Sequence, residues 1–320
     1  MHPDAVVLLP PSRLWSAWTL DPGVLGGIGA AALLYQRGWS TLRRQHPARP
    51  VVRVRQAAAF FAGLGLLGVA LVSPLDALDG TLLSAHMAQH LLLLTVAPPL
   101  LVYGRPGLVG RVGLPSSLRP GLRDLERTGG WRWCVGLTRK PWAVLGAVTA
   151  ALWLWHLPVA YDAAAIHPPL HLAEHACFLG TALAFWRLII DGNPRRRLAY
   201  APGMVLTFVV MLQTAALGAV IALSPQLLYP AYRVGPSLWG MTPLGDQQLA
   251  GALMWIPMGG LYLVTIVALA ARWFAAQERR TPQHAATQHA APQHAAPLLA
   301  APLLAASRLP AEPATPEAAP

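Results

Sequence analysis

The chain has 320 residues, 55% of them hydrophobic and only 12% charged, with a mean hydropathy of +0.44 and a formal net charge of +11. A water-soluble domain carries roughly 25% charged residues, so this composition excludes an ordinary soluble enzyme and requires lipid to cover the surface. Two cysteines, Cys134 and Cys177, lie far apart in the sequence and exclude a disulfide framework or a thiolate metal site.

From the N-terminus, residues 1–19 carry Asp4, Pro10, Pro11 and Arg13 and no basic run leading into an apolar one. A short extracytoplasmic segment without a cleavable leader is expected. Seven apolar stretches then approach the roughly 17 to 25 residues that a helix needs to cross hydrocarbon, at 20–37, 56–73, 82–103, 141–157, 170–190, 203–224 and 249–272. The first is the weakest, being rich in Gly and Ala with Asp21 and Pro22 at its start. The predicted fold class is all-α, a polytopic bundle of seven transmembrane helices over residues 20–273.

Charge sets the orientation. All but Arg13 and Arg233 of the 24 basic residues fall in the connections after the first, third and fifth spans or in the tail. The opposite side carries Asp4, Asp21, Asp76, Asp79, Asp162 and Asp246. The N-terminus is therefore expected outside and the C-terminus inside, as in a multi-pass protein of the bacterial plasma membrane. The basic loops then face anionic lipid rather than nucleic acid. Residues 274–320 are different material, with Gln-His-Ala-Ala and Ala-Pro-Leu-Leu-Ala repeats that cannot bury a core. They are predicted to form a disordered cytoplasmic tail. His284, His289 and His294 lie in these repeats and are read as an inert extension rather than a metal site.

Ionisable residues inside membrane helices are costly and tend to be functional. His86 and His90 are four apart on the third span, His171 and His175 four apart on the fifth, and His156 ends the fourth. A four-residue spacing puts each pair on one helix face. The expected topology places all five in the outer leaflet. Inward-facing histidine pairs are how helical bundles build metal or haem sites; the alternative is a hydrogen-bonded network joining helices. Met254 and Met258 on the last span are candidate soft ligands or core packing, and Glu174 and Asp246 are candidate partners that orient imidazoles. Imidazole with thioether suits copper, with zinc as the alternative.

The run His171-Leu-Ala-Glu174-His175 also matches H-x-x-E-H, a zinc-hydrolase pattern in which the Glu activates water. A seven-helix zinc hydrolase is thus a second reading, and a metal or solute transporter a third.

His86-Met87-Ala88-Gln89-His90 is followed by Ala97-Pro98-Pro99-Leu100 and Gly104-Arg105-Pro106. Trp155-His156-Leu157-Pro158 with Tyr161 comes next, and then Asp246-Gln247, Gly251 and Met254-Trp255-Ile256-Pro257. In that order, from roughly residue 20 to 273, the chain resembles the multi-spanning CtaG family of assembly factors associated with caa-type cytochrome c oxidases. The resemblance implies a non-enzymatic role in maturing the oxidase, with oxidase subunits as partners and copper supply as the supposed task.

Overall fold

A computed structural model describes residues 8–191 and 197–289, with side chains described through residue 279. Asp4, Arg195, Arg196 and the tail beyond residue 289 lie outside the described residues. The chain divides into a unit of residues 1–273 and a second of residues 274–320, and the site described below belongs to the first.

Among the described residues the fold is all helix with no strand. The helices are α1 Pro22–Gln45, α2 Val54–Val72, α3 Pro74–Leu78, α4 Leu83–Leu91, α5 Ala97–Tyr103, α6 Pro106–Gly113 and α7 Arg119–Arg127. They continue as α8 Gly129–Leu137, α9 Pro141–Trp155, α10 Pro158–Ile166, α11 Pro168–Ile190, α12 Tyr200–Leu223 and α13 Pro243–His289. Seven of them open on proline, whose missing N–H is one a helix start leaves unpaired in any case. Asp21 and Pro22, which weaken the first span on hydropathy, here begin a helix: the Asp21 carboxylate accepts from the Val24 N–H at 2.8 Å.

Among the described residues, five helical segments are long and apolar enough to cross a membrane: Val54–Leu78, Leu83–Tyr103, Pro168–Ile190, Tyr200–Leu223 and Pro243–Arg279. The pair α9 and α10 makes a sixth if it is one span, bent by 74°. Helix α1 has the length but not the apolarity, because its last three turns carry Gln36, Arg37, Arg43 and Arg44. Helix α13 runs past the expected end of the last span, so the start of the tail at residue 274 falls inside a helix. Leu212, Val220 and Leu223 on α12 and Val264 and Val267 on α13 point away from the core and are exposed. Aliphatic ridges of this kind need hydrocarbon around them, and the chain is a membrane protein.

Two packing features position the site. Pro98 cannot donate to the Leu94 carbonyl four residues earlier. The helix widens there into a π-helical turn, Leu92–Val96, and the freed carbonyl accepts from the Trp186 indole on α11 at 2.9 Å. The π-helical turn is therefore tied to α11, and the span continues through the prolines into α5. Glycines set the closest helix crossings: a Cβ on Gly251 would stand 2.5 Å from the Gly218 carbonyl oxygen, so α12 and α13 meet backbone to backbone. Gly38 and Gly113 do the same for α1 and α6.

Candidate metal centre

The imidazoles at 86 and 90 stand on one face of α4, as their spacing requires. Their Nε2 atoms are 2.7 Å apart. Helix α4 itself is held by polar ties. The Asp246 carboxylate accepts from the Leu83 N–H at 2.7 Å, the Ser84 N–H at 3.2 Å and the Ser84 hydroxyl. These backbone donors belong to the first turn, where no helical carbonyl can reach them. Gln89 donates to the Ala70 carbonyl and to Asp76, fixing the opposite side of α4 against α2 and α3.

Helix α11 brings His171 and His175 to the same place, with ring centroids 5.2 and 5.9 Å from that of His86. Glu174, between them in sequence, is fully buried and puts its oxygens 3.8 Å from His86 Nε2 and 3.6 Å from His90 Nε2. His156 occupies the break between α9 and α10, with its centroid 5.6 Å from that of His90. Its Nδ1 lies 2.7 Å from the Leu152 carbonyl oxygen. A carbonyl only accepts, so Nδ1 carries the proton and the Nε2 lone pair of the neutral ring faces inward. The carbonyl of His156, freed by the break, accepts from the Tyr229 hydroxyl at 2.9 Å.

The connection between α12 and α13 closes over the cluster, held by Gln247, whose side chain spans the Leu228 N–H and the Gln226 carbonyl. It delivers Tyr232, whose hydroxyl donates to the Asp79 carbonyl at 2.8 Å. With its one proton so used, that hydroxyl can only accept from His86 Nδ1, 3.3 Å away. Tyr232 therefore sets the His86 tautomer with the proton on Nδ1, and His86 Nε2 accepts from His90 Nε2 until an ion takes that place. The Asp79 carboxylate lies 3.2 Å from His171 Nε2. Burial, and then neighbouring Asp76, push its acid group up to about 8.

Among the described residues several buried polar atoms have no hydrogen-bond partner: His90 Nδ1, Nε2 of His156 and His175, and both oxygens of Glu174. Buried polar groups are normally paired, so this many orphans in one cluster mark it as the candidate site. Among the described residues, two groups of three have ligand atoms within 4.8 Å of one another, His86 with His171 and His175, and His86 with His90 and Glu174. At metal–nitrogen bonds near 2.0 Å, tetrahedral ligands stand about 3.3 Å apart, within reach of small side-chain movements. A cavity of about 890 Å³, lined by Asp21, Asp76, Leu93, His171 and His175 among others, leads to the cluster from one side.

The structure thus brings together all five histidines and Glu174, and it seats Glu174 beside the Nε2 atoms rather than behind a ring. Asp246, expected to orient an imidazole, caps α4 instead. Met254 and Met258 are fully buried in the apolar core, Met254 at the α12–α13 crossing, where packing explains them. Asp79, Tyr229 and Tyr232 were not legible as site residues, because each acts through a backbone carbonyl or a loop.

The chain is 29% identical over 286 residues to proteins of Mycobacterium bovis and Mycobacterium tuberculosis, both named only as uncharacterized. It is 27% identical over 295 residues to one of Mycobacterium leprae with the same description. Each match covers 85% of this chain, which spans 42% of the length of these relatives. No solved structure matches it. The family model described as cytochrome c oxidase caa3 assembly factor (Caa3_CtaG) matches residues 33–276, and the chain belongs to that family.

Proposed function

We propose that this protein takes up copper on the outer side of the bacterial plasma membrane and holds it in the histidine cluster for transfer to a cytochrome c oxidase subunit. The observation that carries the reading is the set of orphaned imidazole nitrogens and carboxylate oxygens converging from three spans. A polar network that served only to join helices would pair those atoms with one another. His86, His90, His156, His171 and His175 offer imidazole nitrogens, and Glu174 offers two unpaired carboxyl oxygens that become an anionic ligand when an incoming cation displaces its proton. Tyr232 holds the His86 ring in its binding orientation. Copper is cargo here, so a set dominated by exchangeable imidazoles suits release better than a thiolate cage would.

The proposal includes the full topology of seven spans with the N-terminus outside, in which α1 crosses despite its basic end and α9 with α10 forms one broken span. Support comes from the charge asymmetry of the loops. The test is oxidase assembly in cells carrying His86→Ala with His90→Ala. Loss of copper-loaded oxidase with normal membrane levels of the variant supports the reading. Loss of the variant itself from the membrane assigns the histidines to folding.

A further inference from the structure

We infer that the cluster holds two alternative positions for one ion, an entry position and a storage position that share His86, so that the cargo moves between them by exchanging partners around that ring. The inference rests on the metal reading above and concerns how that site is loaded. The two ligand groups overlap only at His86. In the group of His86, His171 and His175, the latter two line the cavity, and the His171 side chain retains 23% exposure. In the group of His86, His90 and Glu174, the side chains are 0 to 3% exposed and none of the three lines that cavity.

The chemistry of the two differs accordingly. The entry position has neutral imidazoles, with the carboxylate of Asp79 3.2 Å from His171 Nε2. Asp21 and Asp76 line the approach, though Asp76 is already engaged by Thr19 and Gln89. The storage position adds the carboxyl group of Glu174, fully buried with neither oxygen hydrogen-bonded, which gains its charge as a bound cation displaces its proton and where no solvent competes for the ion. It is therefore the tighter of the two. Because one His86 ring serves both, occupancy is exclusive, and the cluster binds one ion. A ring whose Nδ1 is tethered to Tyr232 can present the same Nε2 to either side by a small rotation.

The test uses the full-length protein in detergent, with Cu(I) supplied from a chromophoric Cu(I) chelator whose absorbance reports both the rate of transfer and the final equilibrium. Removing the entry pair, His171→Asn with His175→Asn, should slow transfer about tenfold and leave the equilibrium within about twofold of the native chain. Removing the storage pair, His90→Asn with Glu174→Gln, should leave the transfer rate unchanged and weaken binding about tenfold or more. His86→Asn should weaken both positions together. The polar replacements limit disturbance of the bundle, and a monodisperse gel-filtration profile admits each variant to the comparison. If both pair variants weaken binding alike with unaltered transfer rates, the cluster is a single site; the exchange is then overturned while the metal reading stands. If the native chain takes no Cu(I) from the chelator, both fall.

Discussion

Replacing Asp246 with leucine removes the acceptor for two backbone N–H groups and one hydroxyl at the buried start of α4. Hydrogen bonds to a charged group contribute about 1.5–3 kcal/mol each, and a buried donor left unpaired costs about 1–3 kcal/mol. Allowing for overlap between those contributions, the variant should lose about 3–5 kcal/mol, a large share of the roughly 5–15 kcal/mol that holds a typical fold. Asp246→Asn keeps one acceptor oxygen and should lose about 1–2 kcal/mol, near the usual cost of a helix cap. Unfolding of the purified protein by titration from mild detergent into sodium dodecyl sulfate, followed by circular dichroism, measures both. Metal content measured in parallel should be nearly normal for Asp246→Asn while that variant remains folded. A leucine variant as stable as the native chain would refute the capping role. An asparagine variant of native stability that had lost its metal would return Asp246 to the role of an imidazole partner.

Four other perturbations follow from the same contacts. Trp186→Phe strands the Leu94 carbonyl beside the π-helical turn and should cost about 1 kcal/mol in the same unfolding titration, whereas native stability would mean that the carbonyl finds another donor. Gly251→Val drives a side chain into the α12 backbone and should abolish accumulation in the membrane; Gly65→Val, which meets nothing within 4 Å, should accumulate normally. Tyr232→Phe removes the acceptor for His86 Nδ1 and the donor to the Asp79 carbonyl, and should weaken Cu(I) binding about tenfold while costing about 1 kcal/mol in stability; unchanged affinity would show that Tyr232 does not orient the ring. Met254→Leu, a near-isosteric core exchange, should leave Cu(I) affinity unaltered; a marked loss would make the thioether a ligand after all.

Much of the site was legible because helices turn spacing into geometry. Two histidine pairs at a four-residue interval had to share faces, and alternating loop charge suggested that their helices enter from the same side. What escaped depended on backbone groups and on loops. Asp246 stands near the start of a span, where a carboxylate serves an imidazole or a neighbouring helix equally well, and only the position of α4 decides between them. Tyr232 and Tyr229 sit in a connection without periodicity, delivered by Gln247. Glu174 follows the periodicity of α11, yet a spacing argument could not tell whether its oxygens point at the ring nitrogens or behind a ring. Nothing in the Pro98-Pro99 pair itself points to the tryptophan from another span that satisfies the carbonyl it frees. For α1 the hydropathy signal was faint because its apolar stretch is short, while its helical form comes from a proline start and an aspartate cap.

The most direct measurement is elemental analysis of the full-length protein purified in detergent after Cu(I) loading, beside the variant carrying His86→Ala and His90→Ala. Both chains share the same tail histidines, so the difference between them reports the cluster alone. Copper near one per chain that disappears in the variant is the expected result. Equal copper in both, or none in either, would contradict a metal-holding role and leave the histidines as polar contacts between helices.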